Sequence, residues 1–126
     1  MSTILVAGAT GYLGRFIVAE LHRRGYQVRA LVRDLGRAES PGIYGSPSLT
    51  GLVADWCIGD VTNPHVTADL AHGVAGIISA LGVTRQKADP WDIDYRANLA
   101  ILNSARRHGV NNFCYVHALG AEHCPA

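Results

Sequence analysis

Gly8, Gly11 and Gly14 are spaced three apart in the stretch Val6-Ala7-Gly8-Ala9-Thr10-Gly11-Tyr12-Leu13-Gly14, between an apolar run and an amphipathic one. Residues of this type in this order are suited to holding an anion by main-chain N–H groups. A helix begins with N–H groups that have no intrahelical acceptor, and its dipole puts partial positive charge at that end. Glycine lets a phosphate approach them. A side chain at the first glycine would clash in the tight turn, and one at the second would hold a pyrophosphate away. At the third, it would wedge the helix from the strand. The motif has this meaning only between a strand and a helix. Ile4-Leu5-Val6 supplies the strand, and Phe16, Ile17 and Leu21 give the helix one apolar face. Thr10, Tyr12 and Leu13 complete the candidate set at this end.

Such a turn needs a sheet to hold it. Apolar runs and breakers predict strands near 3–8, 27–32, 54–59, 75–81 and 112–117, with helices near 12–24, 64–72 and 91–108. The segment from Leu35 to Gly51 contains Pro41, Gly42, Gly45 and Pro47, and reads as loop with at most a short helix. Ile4-Leu5-Val6 and Ile77-Ile78 are continuously apolar, as strands are when helices cover both faces of a parallel sheet. The last helix has Ile93, Ala97, Ala100, Ile101 and Ala105 at helical spacing, with Arg106, Arg107 and His108 before Gly109 at its end. Right-handed crossovers then give an α/β, doubly wound, Rossmann-type sheet in the order 3-2-1-4-5, as one domain over residues 1–126.

The glycine spacing, with Thr10 inside it, resembles the short-chain dehydrogenase/reductase superfamily. More narrowly, Gly8-Ala9-Thr10-Gly11-Tyr12-Leu13-Gly14-Arg15 is similar to its atypical, NmrA-like and isoflavone-reductase-like branch. The likeness continues through Arg29-Ala30-Leu31-Val32-Arg33-Asp34, Gly59-Asp60-Val61, Ile77-Ile78-Ser79-Ala80-Leu81-Gly82, Asp94-Tyr95-Arg96-Ala97-Asn98-Leu99 and Phe113-Cys114-Tyr115-Val116-His117. The resemblance implies the NAD(P)-binding part of an oxidoreductase. Three readings share these motifs: an NADP(H)-dependent enzyme, a non-catalytic NADP-sensing regulatory module of NmrA type, and a flavin- or biliverdin-type reductase.

In this fold an acid at the end of the second strand accepts from the adenosine ribose of NAD(H), and a basic residue there pairs with the 2′-phosphate of NADP(H). Val32 stands at the acid's place and Arg33 follows, so NADP(H) is the expected cofactor, with NAD(H) the alternative. Arg15 is expected to reach the same phosphate, and Asp34 either pairs with Arg33 or repels the phosphate. Asp60 is expected to accept the adenine amino group or to cap the next helix, with Val61 offering main-chain contacts. Ser79, Ala80, Leu81 and Gly82, at the end of strand four, let the cofactor pass close or serve close packing. Asn98 resembles an asparagine that braces the sheet from the helix.

The catalytic half departs from the family pattern. His117 stands where short-chain dehydrogenases place a serine, and none of the five tyrosines has a lysine four residues on. The single lysine, Lys87, precedes the fifth strand. His117 either polarises a carbonyl or lines the cleft without a chemical role. The chain therefore reads as the first part of a longer family fold, ending after strand five. Its bare strand-five edge should favour self-association. A net charge of +1, with acids and bases interspersed, argues against nucleic acid and anionic membranes as partners; the substrate is an unspecified small molecule. No apolar run approaches the roughly 20 residues of a membrane span or has the flanks of a signal peptide. Cys57, Cys114 and Cys124 lack metal-ligand spacing and read as reduced thiols of a cytoplasmic protein.

Overall fold

The structure, a computed structural model, describes residues 2–60, 63–81 and 90–116. The strands are β1 (Thr3–Ala7), β2 (Gln27–Val32), β3 (Asp55–Ile58), β4 (Gly76–Ser79) and β5 (Phe113–Tyr115). They form one sheet in the order β3-β2-β1-β4-β5, every neighbouring pair parallel, as the sequence predicts. Between them lie α1 (Tyr12–Arg23), α2 (Leu35–Glu39), α3 (Pro64–Thr67) and α4 (Pro90–Arg107). A 3-10 turn, Ile43–Gly45, interrupts the loop after α2.

Alternation along the strands sorts the core into two layers. Leu5 and Ala7 of β1 join Leu31, Ile77, and Ile101 and Ala105 of α4 on one face. Val6 joins Val28, Ala30, Val32, Val18 of α1 and Leu49 on the other. Because both faces are covered, β1 and β4 are apolar on both sides over Ile4-Leu5-Val6 and Ile77-Ile78, while β2 carries Arg29 among Val28, Ala30, Leu31 and Val32. β5 lies at one end of the sheet and pairs with β4 through Ile77↔Phe113, Ile78↔Cys114 and Ser79↔Tyr115. Among the described residues no strand pairs with its other side.

The predicted helix over 64–72 is cut short. It closes one i→i−4 bond beyond its last residue, Ala68 N–H to Pro64 O at 3.0 Å, and then tightens into three-residue turns such as His72 N–H to Asp69 O at 3.1 Å. The cause is α4. Ser104 Oγ (3.3 Å), Arg107 Nη1 (3.4 Å) and His108 Nε2 (3.2 Å) all lie against the Ala68 carbonyl, which a continuing helix would have offered to His72. On the opposite side of the turn, Arg29 of β2 reaches Asp55 Oδ2 at 2.7 Å and the carbonyls of Leu70 and His72 at 2.9 and 2.6 Å, which fixes β2, β3 and this turn together.

The register Ala7↔Leu31 on one side and Ala7↔Ser79 on the other brings the carboxyl ends of β2, β1 and β4 to one edge. The chain winds away in opposite directions from β1, so the crevice for a ligand opens there.

Candidate functional site

The fold itself requires two of the three glycines, each for a different physical reason. Gly8 leaves β1 with φ +73°, a left-handed conformation. A Cβ on it would also stand 2.7 Å from the Ala80 carbonyl carbon and 2.9 Å from Leu81 N, at the β4 exit. A Cβ on Gly14 would stand 2.0 Å from the Gly8 carbonyl oxygen, so any side chain there forces α1 off the turn. Gly11 is different. Its φ of −72° and ψ of 168° suit any residue, and a Cβ would meet only Gly8 O at 3.5 Å. Among the described residues nothing asks for glycine at Gly11, and only Gly8 O stands within 4 Å of a Cβ there.

This position lies at the start of α1. Gly11 is the N-cap, no side chain caps the helix, and its first turn holds no acid. Gly11 N–H turns back to Gly8 O at 3.2 Å and Arg15 N–H closes on Gly11 O at 3.0 Å, while the N–H groups of Tyr12, Leu13 and Gly14 precede the first intrahelical acceptor. An uncapped, positive, solvent-facing helix end fits a phosphate. Tyr12 stands exposed beside it, edge-on to Phe16 (centroids 5.2 Å) and to Tyr44 (6.0 Å). Tyr44 is 81% exposed on a left-handed backbone with φ 53°. Nothing in the breaker-rich sequence of its loop signals that a ring would lie at this mouth.

At the exit of β2, Arg33 is exposed and makes no ion pair among the described residues. Asp34 neither pairs with it nor faces outward unengaged: it caps α2, its carboxylate accepting from Arg37 N–H at 3.3 Å. Arg15 does not reach toward a ligand. It is 2% exposed and donates to four main-chain carbonyls: Nε to Thr10 at 2.9 Å, Nη1 to Ser40 at 2.6 Å and Pro47 at 3.1 Å, and Nη2 to Arg37 at 2.9 Å. Burial, and secondarily the charge of Arg37, lower its pKa from the usual value. Guanidinium is basic enough to keep its proton. The expected phosphate contact is thus corrected: geometry aims this arginine into the fold.

Asp60 is exposed at the exit of β3, and its carbonyl accepts from Asn63 N–H at 2.9 Å. It is Asn63, not Asp60, whose side chain caps α3. Ser79 is fully buried; its hydroxyl donates to Asn98 Oδ1 of α4 at 2.5 Å and accepts from Leu81 N–H at 3.4 Å. Its side chain therefore braces the β4 exit, in the manner expected of Asn98, beside the half-buried Ala80 and Leu81. Val61, Gly82 and His117 lie outside the described residues.

Residues 8–126 match a family model described as NAD(P)H-binding. The chain belongs to this NAD(P)H-binding family. Over 129 residues it is 39% identical to the divinyl chlorophyllide a 8-vinyl-reductase of Zea mays, named chloroplastic; the match covers 94% of this chain and 30% of the maize protein. It is 32% identical over 123 residues to the photosystem II assembly factor Ycf39 of Cyanophora paradoxa, covering 95% of this chain and 35% of that one. The chain thus spans about a third of these relatives. A solved short-chain dehydrogenase/reductase superfamily protein from Agrobacterium tumefaciens, with NAD bound, superposes with a TM-score of 0.64 at 26% identity, over 90% of this chain and 31% of that one. The superfamily resemblance read from the motifs is borne out. Among the described residues no helix is long and apolar enough to cross a membrane, and no group of three or more His, Cys, Asp or Glu side chains could hold a metal.

Proposed function

We propose that the NAD(P)H-binding family chain serves as the dinucleotide-binding domain of a short-chain-type oxidoreductase, and that it prefers NADP(H) to NAD(H). The observation that carries this reading is an uncapped helix end at Gly11 and an exposed Arg33, its neighbouring acid already engaged, at the carboxyl edge shared by β1 and β2. The N–H groups of Tyr12, Leu13 and Gly14 hold the pyrophosphate. Arg33 takes the 2′-phosphate through two parallel charge-assisted bonds. Asp34, bonded to Arg37 N–H, is drawn away from the ribose position that would select NAD(H). Asp60 faces the adenine, and the main chain of Ala80 and Leu81 flanks the remainder. When bound, the dinucleotide supplies or accepts a hydride; this domain orients it, and the small-molecule substrate is met outside these elements. Cys57 and Cys114, free thiols among the described residues, suit a reducing compartment.

Calorimetric titration with NADPH, NADP⁺, NADH and NAD⁺ tests the reading. The NADP pair should bind more tightly. Arg33→Ala should weaken that pair by about 1.5–3 kcal/mol, or about 10- to 150-fold, and leave the NAD pair within about 2-fold. Gly11→Ala should weaken all four while the melting temperature holds. Equal losses for both pairs in Arg33→Ala would remove the 2′-phosphate assignment, and no binding by any nucleotide would remove the function.

A further inference from the structure

Arg15 is a buried cation whose four donor bonds all go to main-chain carbonyls, and those carbonyls belong to two places. Thr10 lies inside the anion-binding turn, between Gly8 and Gly11. Arg37, Ser40 and Pro47 belong to the end of α2 and the loop beyond it, the segment that begins at Arg33 and Asp34. The loop is moulded on this side chain: a Cβ on Gly42 would stand 2.7 Å from Arg15 Cδ and Nε and 2.2 Å from Ser46 Oγ. Gly42 N–H to Ser46 O at 3.0 Å closes the loop behind it.

We propose that Arg15 is a positioning residue that sets the span between the pyrophosphate site and the 2′-phosphate site, so that one dinucleotide fills both at once. The proposal rests on the dinucleotide reading above. Only a planar fork serves this role. Its donors leave in fixed directions and reach the turn on one side and the loop on the other, whereas a lysine ammonium presents three donors at one point. A ligand that touches both ends should feel the loss of Arg15, and a ligand that touches one end should not.

The test compares the full chain with Arg15→Lys, titrated with NADPH and with adenosine 2′-monophosphate, which occupies the 2′-phosphate end alone. The expected result is a loss of roughly 10-fold for NADPH, with adenosine 2′-monophosphate within about 2-fold of the parent. A role confined to folding would weaken both ligands alike, in proportion to the folded fraction read by circular dichroism. Equal losses, or no loss for either ligand, overturn the proposal. If Arg15→Lys does not fold, Gly42→Ala keeps the charge but displaces its stem, and should produce the same split between the two ligands. If the parent chain binds neither ligand, the dinucleotide reading falls and takes this proposal with it; a parent that binds both and a variant that shows no split leave that reading intact and remove only this one.

Discussion

The glycine turn after β1 and the exit of β4 stand side by side at the carboxyl edge of the sheet, with Gly8 fitted against Ala80 and Leu81, yet they are held differently. Main-chain carbonyls are the acceptors that hold the turn, Gly8 O taking Gly11 N–H at 3.2 Å and Thr10 O taking the Arg15 side chain's Nε at 2.9 Å. A side-chain pair holds the β4 exit, Ser79 to Asn98 at 2.5 Å. Where main chain packs on main chain, the sequence must omit side chains, and the omission is severe and local. Where two side chains meet, the requirement is spread over positions 19 residues apart, and substitution costs hydrogen bonds rather than the geometry.

Substitutions break this comparison in a definite order. Gly14→Ala should do most damage, since its Cβ has no room beside the Gly8 carbonyl; overpacking of this kind costs about 3 kcal/mol. Denaturant unfolding should show that loss together with loss of nucleotide binding, and a tolerated alanine would mean α1 does not seat on the turn. Ser79→Ala should cost about 1–2 kcal/mol by removing the buried bond to Asn98, with dinucleotide affinity within about 2-fold. A large affinity loss there would show that the two regions act as one.

The smallest effect belongs to the far end of α1. The Glu20 carboxylate bonds Arg23 and Arg24, which hold its pKa at about 2, below the usual 4.5. An acid depressed in the folded state contributes stability that is present above its unfolded value and lost as pH falls through the folded one. Between pH 4.5 and about 2, the melting temperature of the parent should therefore fall slightly more steeply than that of Glu20→Gln. Because the group is exposed the difference should be slight, and neither region at the carboxyl edge should respond.

Most of the fold is legible because it rests on short-range signals. Continuous apolar runs at Ile4-Leu5-Val6 and Ile77-Ile78, with apolar-rich stretches bounded by breakers elsewhere, mark the five strands, and Gly8, Gly11 and Gly14 mark the turn by type and spacing. The roles that stay hidden depend on distance along the chain. Arg15 reads as a phosphate ligand because it follows the last glycine by one residue. Its partners Ser40 and Pro47 lie 25 and 32 residues away, in a loop whose glycines and prolines predict breaks but no path. Asp34 is ambiguous for a similar reason: as a cap it needs α2, and α2 is five residues long with no period to read. The helix expected over 64–72 stops early because Ser104, Arg107 and His108, from α4 and its end, take its carbonyl, a competition no local pattern records.

The setting of Arg15 also decides how the site meets changes of solvent. Most buried cations are balanced by a carboxylate, which acid can neutralise and so unlatch. Among the described residues this one is balanced by peptide dipoles and no carboxylate, three of the dipoles coming from the α2 end and its loop. Carbonyls take up no proton in the range proteins survive, and a counter-ion in solution has little access to a group 2% exposed. The loop is therefore fastened to the turn by a connection that neither acid nor salt loosens, so the distance between the two proposed anion sites should hold even where Arg33 itself is screened.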